Sequence, residues 1–375
     1  MKLKVGTEIL KSMLVRSVKG MGRNKQFPIT SLMLIKLEHN TLTLLTTDNN
    51  NYLYVKRDKV EGDDFYVVIQ GEQFARLISK FTCEKTELIA DGNSLEVIGN
   101  GKYHIAIPLD EGEYIQFPDP VADLKLKESD RLEWNLSTVN TILESCKLSL
   151  AVTYEDPQYT GYYIGEDIIT TNDYLMSRLD IDILGGKEVL VRSEYMELLG
   201  LMTEENFSAY IIKDKIVCTS PDCVVYGELM EEDYLQKFQA SEYRNYMKSR
   251  EMKSSCKLDK TQLLSVLDRI SLFVDKYDED AVRLTFTEKG VSVESLQSTG
   301  VEVVPYIESK DYQAFTGIMF IAQLMNVLKS YPEDVVEVGY GDDAAVRLTS
   351  GNLTFLIAWV TEEEEGEEED GENES

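Results

Sequence analysis

The side chains that most often carry chemistry are few or scattered in this chain. Its 375 residues include two histidines, His39 and His104, and five cysteines, Cys83, Cys146, Cys218, Cys223 and Cys256. Two histidines nearly exclude a histidine-based zinc site or a Ser-His-Asp triad. No cysteines share a Cys-x-x-Cys spacing, and the odd count argues against a disulfide framework. A reducing compartment, the cytoplasm, is the expected setting. Carboxylates are abundant, but nothing singles out a pair of the kind that serves as acid and base in a glycosidase. Gly20-Met21-Gly22 is too short for a phosphate-binding loop. No catalytic residue, metal site or cofactor is expected, and the chain does not read as an enzyme.

What remains is cation chemistry, which looks unpromising on the average. The formal charge is −29, and ten acids without a base fill residues 361–375. Such acidity taken bluntly argues against nucleic acid. No apolar run approaches the ~20 residues of a membrane span, and the first residues lack the apolar core of a signal peptide.

The elements that would position the cations form a repeat. Apolar residues at i, i+3, i+4 and i+7, one face of a helix, recur six times. They are Leu10, Met13, Leu14 (with Ser17 in the last place); Phe74, Leu77, Ile78, Phe81; Val139, Ile142, Leu143, Cys146; Tyr195, Leu198, Leu199, Met202; Leu263, Val266, Leu267, Ile270; and Ile321, Leu324, Met325, Leu328. Each follows a short strand through a helix-start residue: Thr7, Gly71, Ser137, Ser193, Asp259, and the pair Thr316-Gly317. Each is followed by about three alternating strands with hairpin turns such as Asn100-Gly101 and Ser350-Gly351-Asn352. The unit is β-α-β-β-β, six times over. Polar stretches at 110–131 and 231–253 group the units in pairs. The expected fold is α+β, with three similar domains at 1–122, 123–247 and 248–360 and a disordered acidic tail at 361–375.

The helical segments escape the acidic average. Segments 8–19, 72–81, 138–150, 194–203, 260–276 and 318–330 carry +2, +1, 0, −2, +1 and +1. A ring with helices inside and sheets outside would then have a mildly positive hole and a negative rim. Phosphate attraction is sequence-independent, so a duplex would be drawn to the hole. The expected phosphate contacts are Lys11, Arg16, Lys19, Arg76, Lys80, Lys147, Arg269, Lys276 and Lys329.

Asn40-Thr41-Leu42-Thr43-Leu44-Leu45-Thr46-Thr47-Asp48, Glu113-Tyr114-Ile115-Gln116-Phe117-Pro118, the stretch Gln158 to Gly165, Glu242-Tyr243-Arg244-Asn245-Tyr246-Met247 and Ala281-Val282-Arg283-Leu284 lie in an order that resembles the bacterial-type sliding clamp, the β subunit of the replicative polymerase. The resemblance spans residues 1–360. It implies a DNA-clamp fold and a non-enzymatic processivity factor. The ring would be a head-to-tail homodimer around duplex DNA, seamed by Tyr103 and Ile105 on one side and Leu272 and Phe273 on the other. It adds Arg23, Tyr162 and Tyr163 to the expected DNA contacts. It also implies that polymerase and clamp loader dock through short peptides in a cleft between the second and third domains. The matching positions are Ile164, Thr171, Tyr174, Arg178, Leu179, Met247, Leu356, Ala358 and Val360. Two departures touch that cleft. Thr171 to Leu179 is longer than the family's compact motif and lacks its glycine and histidine, and a proline-rich turn after Met247 is missing. The acidic tail lies outside the family pattern and suggests the competing reading, an acidic DNA mimic or histone-like decoy.

Overall fold

The computed structural model describes residues 1–360 apart from 23–26, 154, 173, 275–279 and 298. The six repeats are present in order. Their helices are α1 (Thr7–Ser17), α2 (Gly71–Ser79), α3 (Leu136–Cys146), α4 (Ser193–Leu199), α7 (Lys260–Ile270) and α8 (Ile321–Ser330), each preceded by one strand and followed by three. The periodic residues fill the buried side of each helix. Leu10, Met13, Leu14 and Ser17 of α1 are buried, as are Leu263, Val266, Leu267 and Ile270 of α7. Ser17 is tolerated there because its hydroxyl donates to the Met13 carbonyl, so no buried donor is left open.

Local chemistry explains two of the six helix starts. Asp259 accepts from the Gln262 backbone N–H, satisfying one of the four orphan donors of α7. For α3 the capping side chain is Asn135, which accepts from the Ser137 and Thr138 backbones, so the helix begins two residues earlier than the Ser137 start suggests. The expected start at Thr316-Gly317 is corrected. Both lie in the strand Phe315–Phe320, and α8 begins at Ile321. Gly317 is there for close approach: a Cβ would meet the Trp359 ring at about 2.5 Å. The polar stretch from 231 also differs from expectation. It forms α5 (Glu232–Phe238) and α6 (Ala240–Ser249), separated by Gln239 at φ 50°.

The chain divides into two compact units. The first holds residues 1–147, 152–168 and 182–238. An eight-stranded antiparallel sheet runs through it in the order 132–135, 206–212, 215–220, 223–228, 51–57, 41–47, 32–38 and 65–70. Strands from the expected first and second domains are joined where Cys223–Gly227 pairs with Asn51–Val55. One face of this sheet packs Leu34, Leu45, Tyr54, Val217, Val224 and Tyr226 under the segment holding Ile115, Phe117, Val121 and Leu124. The Tyr54 hydroxyl donates to Asp119 at 2.8 Å, and the Tyr66 hydroxyl accepts from the Phe117 backbone. The stretch Glu113 to Pro118 therefore lays Phe117 on the sheet. A separate five-stranded sheet has Lys102–Ala106 as one edge.

The second unit holds 148–151, 169–181 and the chain from 239 onward. In it Leu175–Leu179 pairs with Leu353–Ala358, which continues to Ala345–Ser350, Val335–Tyr340, Ser254–Asp259 and Glu308–Lys310. A four-stranded sheet ends at the edge strand Val301–Pro305.

Candidate nucleic-acid interface

Residues four apart on a helix share a face, which puts Lys11, Val15 and Lys19 in line along α1 and its last turn. They line a groove of about 480 Å³ between α1 and α2, opposite Glu72, Ala75 and Arg76. Lys19, Arg76 and Lys80 are exposed. Lys11 is half-buried and pairs with Glu8 at 2.8 Å, and Arg76 pairs with Glu72 at 3.2 Å. Pairs this open are worth little and are displaced readily by a phosphate. Val15 is 67% exposed among these charges, an apolar contact that a count of charges does not find.

The first unit also brings acid to this side. A cavity of about 940 Å³ is lined by Lys19, Asp48 and Asn50 from the first repeat and by Glu194, Glu197 and Leu198 of α4. Lys147, expected as a phosphate contact, is paired with Glu197. In the second unit Lys329 is exposed on α8. Arg269 grips the Glu302 carboxylate through Nε and Nη2, at 2.7 and 2.6 Å. That hydrogen bond outweighs burial and, with the guanidinium charge, holds the Glu302 carboxyl below its ordinary value.

Three expected contacts face elsewhere. Arg16 turns toward the sheet, where its Nη1 donates to Asp222 at 2.6 Å and its side chain is only 16% exposed. Thr203 and Ser220 also donate to Asp222. Burial alone would raise the Asp222 carboxyl; the hydrogen bonds from Thr203, Arg16 and Ser220 outweigh it and hold it below its usual value. Arg16 is thus a tie within the first unit, and its partner lies 206 residues away in sequence. Tyr162 and Tyr163 are corrected outright. Their strand, Gly161–Ile164, is wholly buried, and Tyr163 stacks on Phe238 with centroids 5.4 Å apart and planes 3° from parallel. Neither ring can reach a duplex. The alternation that marks a half-exposed strand is missing from Gly161-Tyr162-Tyr163-Ile164, and that was the available signal. Arg23 and Lys276 lie outside the described residues.

The expected peptide-binding positions separate in the same way. Ile164 is fully buried in the first unit. In the second, Thr171, Leu179, Met247 and Leu356 are buried, Arg178, Ala358 and Val360 are half-buried, and Tyr174 is 64% exposed. The Tyr174 carbonyl accepts from the Ala358 backbone at 2.9 Å, which fixes the exposed ring at the end of the Leu175–Leu179 ladder. Arg178 reaches Asp180 at 3.7 Å.

At the expected seam, Leu272 and Phe273 are 80% and 53% exposed in the turn after α7. Tyr103 is 40% exposed and rests on Phe81, and Ile105 is buried. Val301 and Val303, 60% and 53% exposed on an edge strand, were not anticipated. Their alternation around the buried Val304 was legible, but nothing marked the strand as an edge.

Three of the buried cysteines are not poised as nucleophiles. Burial pushes the Cys218 and Cys256 thiols up to about 12 and Cys223 to about 11, which leaves them protonated and inert. Among the described residues no cluster of three His, Cys, Asp or Glu side chains could hold a metal ion, and no helix is long and apolar enough to cross a membrane.

Residues 1–118 match the family described as DNA polymerase III beta subunit, N-terminal domain. No curated protein matches at the level of sequence. The structure is similar to that of a DNA polymerase III beta subunit from Eubacterium rectale, with TM-score 0.81 at 17% identity over 96% of this chain and 99% of that one. It is similar to the DNA polymerase sliding clamp of Bacillus subtilis, with TM-score 0.81 at 13% identity over 97% and 100%. A third is the DNA polymerase III subunit beta of Borrelia burgdorferi in complex with a natural product, with TM-score 0.78 at 17% identity over 96% and 99%. Over 96% of its length the chain has the sliding-clamp fold.

Proposed function

We propose that this chain is a DNA polymerase processivity factor, a non-catalytic clamp that encircles duplex DNA. The observation that carries the reading is the sliding-clamp fold, shared over 96% of this chain, together with exposed cations on its repeat helices. In a chain of charge −29, the exposed Lys19, Arg76, Lys80 and Lys329 sit on or beside the repeat helices. Cations so placed contact phosphate without reading sequence. With Glu194 and Glu197 on α4 opposing them, direct affinity should be weak and fall with salt, which suits sliding.

The ring is a head-to-tail homodimer of three domains per chain, cut near 122 and 247. Two edge strands support this reading. Lys102–Ala106 and Val301–Pro305 each have one unpaired side, the latter with two exposed valines. Open apolar edges are aggregation hazards unless another strand covers them, and a two-fold pair of chains covers both at once. Polymerase and clamp-loader peptides would bind along the pair of strands Leu175–Leu179 and Leu353–Ala358, at Tyr174, Arg178, Ala358 and Val360, with the buried Met247 and Leu179 as apolar anchors.

The test is retention on nicked circular duplex DNA after loading. The protein should stay on the circle through a gel-filtration column and be lost once the circle is cut. Equal behaviour on circular and linear DNA would replace the clamp by simple adhesion, or, with no retention on either, by the acidic decoy.

A further inference from the structure

The first unit contains a cavity that none of the clamp's expected contacts uses. It holds about 180 Å³ and is lined mainly by apolar groups, Val67, Val68, Ala90, Ile107 and Ile115 among them, with Met1, Gly92, Tyr66, Tyr114 and Gln116 completing the wall. Val67 and Val68 belong to Phe65–Gln70, the edge strand of the eight-stranded sheet, and Ala90 to Lys85–Asp91 of the five-stranded one. The cavity therefore lies where the two sheets part. It is roofed by a short ribbon, in which Leu109 pairs with Tyr114 and Asp110 with Glu113. The Tyr114 hydroxyl donates to the Gly92 carbonyl at 2.9 Å and pins the ribbon there. Apolar surface continues outward, with Met1, Leu109 and Tyr114 at 57%, 39% and 51% exposure.

The rim has the opposite character. Asp110 and Glu113 stand directly across from each other, with Glu111 between them and Asp91 beside Gly92. All four carboxylates are exposed. Like charges directly opposite on a ribbon are destabilising. Nearby cations offset this only in part: Lys2 is paired with Glu87, and the Met1 ammonium, which donates to the Ala90 carbonyl at 3.4 Å, is one positive charge beside four carboxylates. A cavity of roughly 150 Å³ lined by apolar side chains holds a benzene ring, so this one has room for a single leucine- or phenylalanine-sized group. Drug-like ligands need roughly 300 Å³ or more.

We propose that this cavity is a second peptide-docking site, separate from the one at Tyr174, which takes one apolar side chain flanked by lysine or arginine. The anchor enters between the sheets, and the flanking cations relieve the repulsion between Asp110 and Glu113. The site does not depend on the ring reading, because its residues all lie in the first unit.

The experiment uses the full chain and fluorescein-labelled Lys-Lys-Phe-Lys-Lys, followed by fluorescence anisotropy. The matched peptide Lys-Lys-Ala-Lys-Lys controls for charge. The phenylalanine peptide should bind at least tenfold more tightly than the alanine one. Ala90→Leu, which fills the cavity, should erase that difference. The doubly exposed variant Asp110→Lys/Glu113→Lys, which leaves the interior untouched, should weaken binding of both peptides by tenfold or more at low salt. Equal binding of the two peptides, unaffected by either variant, would mean that the acids of residues 361–375 capture the cations and would overturn the site. So would no binding at millimolar peptide, or a change in the mass of the protein with Asp110→Lys/Glu113→Lys, which would assign the surface to a second copy of the chain.

Discussion

Arg16 shows how much a single side chain's role depends on a distant partner. Its spacing on α1 suggests a phosphate contact, yet it is an internal tie to Asp222. Hydrogen bonds to a charged partner are worth about 1.5–3 kcal/mol, so Arg16→Ala should lower stability by about that much in urea unfolding. The pH dependence has a definite sign. The Asp222 carboxyl lies below its ordinary 3.8 in the folded chain. Its contribution is therefore complete above roughly pH 4 and is lost as the pH falls through the folded value. Arg16→Ala should thus destabilise at neutral pH and much less near pH 2; a loss independent of pH would place Arg16's effect in packing alone. Arg76 and Lys80 are the opposite case, exposed and free to exchange partners. Each phosphate contact contributes ~0.9 to the slope of log affinity against log salt. Arg76→Glu with Lys80→Glu should reduce that slope by roughly 2 in direct duplex binding and shorten retention on circles. Lys4→Glu, on a strand, should change neither, and identical slopes for all three proteins would remove α2 from the interface.

At the scale of the element, the repeat was legible and the edges were not. Six helices appear where the apolar period of 3.6 sets them, each with one strand before and three after. Strand order cannot be read from period, because every strand of an antiparallel sheet alternates alike. Only pairing reveals that Lys102–Ala106 and Val301–Pro305 are edges. The exposed Val303 is a direct probe of what covers them. Val303→Lys should convert a dimeric mass to a monomeric one at micromolar concentration. Its unfolding midpoint should change little, since a charge on an edge strand is tolerated. A dimer that survives Val303→Lys and Leu272→Lys together would place the seam elsewhere.

At the scale of the whole molecule the acidic tail is the open variable. It follows Val360, whose backbone donates to the Ile318 carbonyl, so ten acids begin next to the residues proposed to hold partner peptides. Truncation after Val360 should leave the mass of the assembly unchanged and should tighten binding of acidic partner peptides. The difference should fade as salt shortens the ~8 Å range of the charges; equal affinities at low salt would reduce the tail to a solubilising segment. The sequence by itself determined the unit, its number and the buried face of each helix, because these follow from local periodicity and from turn chemistry. The tertiary structure alone decided which cations face solvent and which are tied inward. It alone ran one sheet through two expected domains and opened a cavity under the Leu109–Tyr114 ribbon. Each of these depends on partners far away along the chain, and no local pattern encodes a contact between residues as distant as Arg16 and Asp222.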